Sequence, residues 1–271
     1  MDYTKFINSV LENSSKIALK YYGKISGVEK SEDSNQVFTQ ADFEIGKFIA
    51  EKIKEQYPKH NIIDEEIGII NNKSVYTWVV DPIDGTSNFV AGIPLYGVMV
   101  GLLENDKVLA GGISLPAFSE IYTAQKSKGA YCNGVRLSVT KETNLKSLLV
   151  AYGIDSNIKN PNITRKECKL LAEIVLSVRN IRISNSCFDL VMVARGNYGG
   201  ILNRSNRVWD TVAPQAILEE AGALCTDFYG KQIDYSNHLK KTKENFPLFS
   251  ASPILHKKLQ DIILKTGQGR F

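Results

Sequence analysis

The chain has no run of about 18 apolar residues, so nothing in it reads as a membrane-spanning helix. Its opening residues, Met1, Asp2, Tyr3 and Thr4, lack the basic-then-apolar pattern of a secretory signal, and a cytoplasmic location away from membranes is the expectation. Cysteine is sparse. Cys132, Cys168, Cys187 and Cys225 lie far apart, form no CxxC pair and cannot build a dense disulfide framework, so all four are read as free thiols. His60, His238 and His256 share no metal-ligand spacing, which argues against zinc. A strong charge of one sign is missing too: 33 Lys and Arg stand against 29 Asp and Glu. The net charge of +4 is small and its lysines are scattered, so nucleic acid is not an expected partner.

What is present suits a globular protein, since 271 residues with 43% apolar content can bury a substantial core. Phe6, Ile7, Val10, Leu11, Ile17 and Ala18 fall near helical spacing between Thr4 and Tyr22, with Gly23 as a stop. A second helix is expected from Ala41 to Tyr57, with Phe43, Phe48, Ile49 and Ile53 inward and Pro58 beyond its end. From Asn61 the pattern changes to short strand-like runs, including Trp78 to Val80 and Val98 to Leu103, with a hairpin turn at Glu104, Asn105 and Asp106. After about Lys146 strands and helices alternate, as in an α/β layer. The expected organisation is an α+β part over residues 1–146 and an α/β part over 147–271, with no linker between them.

The most informative stretch is Asp81, Pro82, Ile83, Asp84, Gly85, Thr86, Ser87 and Asn88, directly after the apolar Trp78, Val79 and Val80. A strand ending in two carboxylates three residues apart, with Pro and Gly forcing a tight turn, can aim both side chains and a backbone carbonyl at one point. Such hard oxygen ligands suit Mg²⁺, which takes octahedral oxygen coordination at about 2.0–2.1 Å. The amides of Gly85 and Thr86 could cradle a phosphate oxygen if a helix begins there. Asp, Pro and Gly also make turns with no function, and Asp42 or Asp210 could be helix caps alone. The case rests on joint occurrence: Asp64, Glu65 and Glu66 after the apolar Ile62 and Ile63, Trp209 and Asp210 opening a helix, and Thr39, Gln40, Ala41 and Asp42 opening another.

In this order the motifs resemble those of the inositol monophosphatase superfamily: the acidic Asp64 to Glu66, the DPIDGTSNF of Asp81 to Phe89, and the WDTVAPQAILEEAG of Trp209 to Gly222. The similarity runs from Thr39 to the TDFYG at Thr226. It implies a layered α-β-α-β-α sandwich with the site between the two parts. It also implies a lithium-sensitive, Mg²⁺-dependent phosphomonoesterase acting on a small phosphorylated metabolite, with two or three metal ions and a homodimeric state. By matching position, Glu65, Asp81 and the carbonyl of Ile83 would hold one Mg²⁺, and Asp81, Asp84 and Asp210 a second. Thr86, paired with Asp42, would orient and deprotonate the attacking water, and Glu65 joins them in the catalytic set. Substrate-facing positions are Asp84, Gly85, Thr86, Ser184, Asn185, Ser186, Asn203 and Asp210.

Two departures bear on specificity. The family's glycine-serine-alanine-alanine-like run is Ser184, Asn185, Ser186 and Cys187 here, and the glutamate that contacts inositol hydroxyls, seven residues before the WD aspartate, is Asn203. Inositol phosphates, fructose 1,6-bisphosphate, adenosine 3',5'-bisphosphate and histidinol phosphate are therefore all open as substrates. A separate reading is a regulatory protein that binds RNA or a transcription complex. The intact acidic set weighs against it, because an unused carboxylate cluster is an electrostatic liability.

Overall fold

The protein is described here by a computed structural model over residues 1–30 and 33–266. Helix α1 (Thr4–Tyr21) buries Ile7, Val10, Leu11, Ser14 and Ala18, a stripe at spacings of three and four. A short antiparallel hairpin, β1 (Val28–Lys30) and β2 (Asp33–Phe38), leads to α2 (Gln40–Gln56). Thr39 caps α2: its side chain accepts the Ala41 N–H, while the Asp42 carboxylate accepts the Thr39 N–H, a capping box. The buried face of α2 is Ala41, Ile45, Ile49 and Ile53, four residues apart. Phe43, expected inward, lies off this stripe and is exposed.

An eight-stranded sheet follows: β3 (Asn61–Asp64), β4 (Gly68–Ile70), β5 (Tyr76–Asp84), β6 (Gly97–Glu104), β7 (Lys107–Leu115), β8 (Glu120–Gln125), β9 (Gly129–Cys132) and β10 (Val135–Arg136). Its order is β10-β9-β8-β7-β6-β5-β3-β4, antiparallel except where β3 runs parallel to β5 with Asp64 opposite Val80. The five-residue helix α3 (Thr86–Val90) leaves the end of β5 through Gly85. Asn105 and Asp106, both at positive φ, make the expected turn between β6 and β7.

The second half contributes β11 (Leu149–Gly153), α4 (Pro161–Ser177), β12 (Asn180–Arg182), α5 (Cys187–Ala194), β13 (Tyr198–Asn203), α6 (Val208–Glu220), β14 (Leu224–Thr226), β15 (Leu248–Ala251) and α7 (Pro253–Lys265). The five strands order as β12-β11-β13-β15-β14, the first three parallel and β15 antiparallel to both neighbours.

Five layers result: α1 and α2, the eight-stranded sheet, α5 and α6, the five-stranded sheet, then α4 and α7. Neighbouring glycines on β7 show how closely helices approach both faces. A Cβ on Gly112 would lie 2.4 Å from Ile7 of α1, and one on Gly111 would lie 2.6 Å from the Ala213 carbonyl of α6. The shared middle layer joins the two sheets in one core, in which Met99, Ile113 and Tyr122 pack with Leu190, Ile201 and Ile217. No helix among the described residues is long and apolar enough to cross a membrane.

Candidate active site

Three elements from different parts of the chain bring their ends together. At the end of β5 the pairing with β6 is irregular between Asp81 and Asp84, the bulge that the Asp-Pro-Ile-Asp spacing requires. Gly85 then turns at φ 78°, and the position admits no side chain, because a Cβ would lie 2.9 Å from both the Leu95 carbonyl and Cβ of Ser186. Asp210 enters from α6, where it is the third helical residue and its carboxylate accepts the Arg207 N–H at 2.6 Å. Pro214, one turn later, cannot donate to the Asp210 carbonyl, so that backbone oxygen loses its usual helical partner.

Asp81, Asp84 and Asp210 each offer a carboxylate oxygen, and these oxygens all lie within 4.8 Å of one another. Burial and mutual repulsion push the three carboxyls upward. Asp81 is held well above the ordinary range first by burial and then by Glu65, Asp84, Asp210 and Asp42. Asp210 behaves alike, through burial and then Glu65 and Asp84. Asp84 is raised to about 6 by burial, opposed by the Cys187 N–H that donates to its carboxylate. Asp81 Oδ1 is buried with no hydrogen-bond partner. An all-oxygen donor set with an orphaned buried carboxylate oxygen fits a hard divalent cation, and Mg²⁺ meets that description.

Glu65 lines the same cavity, and its N–H donates to the Val80 carbonyl across the β3/β5 pair. Asp64 points elsewhere. Its Oδ1 accepts the N–H groups of Glu66 and Ile67, closing the turn that carries Glu65. The resemblance pairs Asp42 with Thr86, but the structure gives their hydrogen bonds other partners. Asp42 Oδ2 accepts both the N–H and the hydroxyl of Thr39, at 2.8 and 2.6 Å, and Thr86 donates its hydroxyl to the Ile83 carbonyl at 2.8 Å. Burial raises the Asp42 carboxyl to about 7, against the pull of those Thr39 bonds.

The carboxylates form one end of a cavity of about 360 Å³ whose lining includes Gly85, Thr86, Ser184, Asn185, Ser186 and Asn203. Asn88 ties its halves by donating Nδ2 to the Leu95 and Ser184 carbonyls. Asn203 sits flat on β11, where a Cβ at Gly153 would come within 2.5 Å of its amide nitrogen, and its Oδ1 accepts the Ser205 N–H at 3.1 Å. Asn88 also lines the cavity, as do Asp155, Asp189 and Arg207, which sequence reasoning missed. Asp189 had a readable signal. Ser186 and Asp189 stand at the N-cap and third positions of α5, and Asp189 accepts the Ser184 N–H at 2.9 Å.

A five-layer α/β sandwich with this acidic site is the architecture of one class of phosphatase, and the comparisons agree. The sequence profile of the inositol monophosphatase family matches residues 2–263. The chain belongs to the inositol monophosphatase family. It is 32% identical over 216 residues to a fructose-1,6-bisphosphatase/inositol-1-monophosphatase of Aquifex aeolicus, covering 76% of this chain and 78% of that protein. Against a histidinol-phosphatase of Chlorobaculum parvum it is 29% identical over 221 residues, 82% of this chain and 84% of the other. The solved Thermotoga maritima IMPase superposes with a TM-score of 0.86 at 26% identity, with 99% of each chain covered.

Proposed function

We propose that the protein is a Mg²⁺-dependent phosphomonoesterase that hydrolyses a small phosphorylated metabolite by direct attack of water. The observation that carries this reading is the meeting of Asp81, Asp84 and Asp210 within 4.8 Å at the end of a polar cavity. Glu65, Asp81 and the Ile83 carbonyl would hold one metal ion, and Asp81, Asp84 and Asp210 another. Magnesium bound there would neutralise the phosphate dianion and lower the pKa of a bound water.

The chain's own groups do the rest. Thr86 donates a hydrogen bond from its hydroxyl to the Ile83 carbonyl, which leaves the lone pairs of its oxygen to accept one from the attacking water and orient it. Asp42, whose Oδ2 is held by Thr39, would take the proton of the attacking water, while the bond from phosphorus to the alcohol oxygen breaks and that oxygen leaves with a proton from solvent. The amides around Gly85 and Thr86, opening α3, receive the phosphate oxygens. No serine or cysteine nucleophile is needed, and the Cys187 thiol is held far above its ordinary range by burial and by Asp84. In this reading residues 1–146 supply most metal ligands and residues 147–271 complete the pocket.

The family resemblance carries inhibition by Li⁺ into this reading, and Ca²⁺ should inhibit because its longer and looser coordination disturbs an octahedral two-metal geometry. It also carries a homodimer, which a light-scattering mass of 30.1 kDa, that of one chain, would refute. The experiment is phosphate release from inositol 1-phosphate, histidinol phosphate, fructose 1,6-bisphosphate and adenosine 3',5'-bisphosphate with Mg²⁺. Release from none of them would overturn the reading.

A further inference from the structure

β14 and β15 pair directly as antiparallel neighbours, a geometry that a hairpin loop of about two to five residues can close. Residues 227–247 join them instead. This excursion leaves its own sheet. Its buried Tyr235 and Phe246 stack with ring centres 5.5 Å apart, in a cluster with Ile63 of β3, Val79 of β5, and Val208 and Val212 of α6. Ile63, Val79 and Val208 each stand two residues before a carboxylate assigned above to metal: Glu65, Asp81 and Asp210.

One end of the excursion grips the start of α6. The Phe246 N–H donates to the Asn206 carbonyl at 2.7 Å. The Thr211 hydroxyl lies 3.1 Å from the Phe246 carbonyl and 2.8 Å from the Arg207 carbonyl, and so bridges the two. Arg207 Nη1 donates to the Lys243 carbonyl at 2.6 Å and to Asn245 Oδ1 at 2.8 Å. Residues on both sides of Asp210 are thereby tied to the excursion, and the Arg207 N–H is the one that donates to Asp210 Oδ2.

The far end reaches the eight-stranded sheet through buried His238. Its Nδ1 lies 3.0 Å from the Tyr235 carbonyl and 2.9 Å from Asp106 Oδ1, both acceptors, so this nitrogen carries the hydrogen. Its Nε2 lies 2.9 Å from the hydroxyl of Thr77, which stands on β5 four residues before Asp81. Thr77 Oγ1 also accepts Asn61 Nδ2 of β3 at 3.1 Å. The excursion thus runs from the strand that carries Asp81 and Asp84 to the helix that carries Asp210. Like-charged carboxylates push these elements apart, while Mg²⁺ demands oxygen ligands at about 2.0–2.1 Å in near-ideal octahedral geometry.

We propose that residues 227–247 are a brace that holds Asp210 of α6 against Asp81 and Asp84 of β5, with Thr211 and His238 as positioning residues at its two ends. The brace presupposes the metal assignment proposed above and adds the residues that set its spacing.

The test is Mg²⁺ binding to metal-stripped protein by titration calorimetry, beside a thermal melt in EDTA and Mg²⁺-dependent phosphate release. Thr211→Val removes the hydroxyl that holds the Phe246 carbonyl. It should weaken Mg²⁺ binding by about ten-fold, as loss of a partner behind a metal ligand does, with kcat at saturating Mg²⁺ within about two-fold of the wild type. Thr211→Ser keeps the hydroxyl and should restore the affinity. His238 lies outside the cavity lining, and His238→Ala should weaken Mg²⁺ binding in the same way. Asn245→Ala, at an exposed position where folding is not at stake, should shift the affinity in the same direction. Wild-type Mg²⁺ affinity in the folded variants, even with a lower melting temperature in EDTA, overturns the brace. Mg²⁺ binding by the wild type without phosphate release from glycerol 2-phosphate or any ester named above overturns the phosphatase reading alone. No Mg²⁺ binding by the wild type overturns both.

Discussion

The backbone N–H of Cys187, the first residue of α5, donates to the carboxylate of Asp84 at the end of β5. A carboxylate carried by one sheet, proposed above as a metal ligand, is thereby held at the positive end of a helix that packs with the other. Asp84→Asn removes the charge and keeps the size, so the fold should survive. kcat should fall by at least about 10²-fold, comparable to losing one strong transition-state contact. Steady-state kinetics beside a circular-dichroism melt checks this, and near-normal turnover with an unchanged Mg²⁺ requirement would remove Asp84 from the ligand set.

Gly46 faces Asp64 beneath α2, where a Cβ would lie 2.8 Å from Oδ2, 3.1 Å from Oδ1 and 3.2 Å from Pro82 Cγ. Helix propensity alone makes Gly→Ala stabilising by up to about 1 kcal/mol. Here the sign should reverse, because Asp64 Oδ1 is pinned by two N–H groups and cannot retreat. Gly46→Ala should cost about 1–3 kcal/mol, as overpacking does. Urea unfolding measures it, and Asp64→Ser in the same chain should recover part of the loss.

Much of this site is local and so was legible in the sequence. The DPIDG turn, the acidic stretch at Asp64 to Glu66 and the WD helix opening each declare themselves within a few residues, because strand ends, tight turns and helix starts have local chemistry. The β1–β2 hairpin was missed, since its strands carry Glu29, Lys30, Asp33, Ser34, Asn35 and Gln36 without an apolar alternation. The inward assignment of Phe43 failed because tertiary contact chose the stripe through Ala41, Ile45 and Ile49. The hydrogen bonds of Asn185 with Ile154 join segments dozens of residues apart, which no local pattern encodes.

The raised carboxyls make a metal-free protein sensitive to pH. An Asp with a raised folded-state pKa stabilises the fold fully below its unfolded value of about 3.9, and that stability is lost as pH rises through the folded value. Asp42 sits at about 7, with Asp81 and Asp210 also raised. His256, lowered to about 4 by burial, acts oppositely, but only as pH falls below about 6.5. Between about pH 6.5 and 8 the carboxylates therefore dominate among these groups. In EDTA the melting temperature should drop across that window, and Mg²⁺ should raise it more at pH 8 than at pH 6.5. A flat profile in EDTA would contradict the buried-carboxylate account.

The resemblance puts an inositol-contacting glutamate at the position of Asn203, whose Oδ1 already accepts the Ser205 N–H. A polyol is thus offered no carboxylate acceptor at this position. Charge-assisted hydrogen bonds contribute about 1.5–3 kcal/mol, so Asn203→Glu should raise kcat/KM for inositol 1-phosphate by roughly ten-fold or more relative to glycerol 2-phosphate. Equal effects on both substrates would mean that the side chain does not read the alcohol.

The most direct test of the whole account is the rate of phosphate release from glycerol 2-phosphate by metal-stripped protein as Mg²⁺ is added back. The assignment of Glu65, Asp81, Asp84 and Asp210 to metal requires no release in EDTA and a saturable rise with Mg²⁺. Release that proceeds undiminished in EDTA would contradict it.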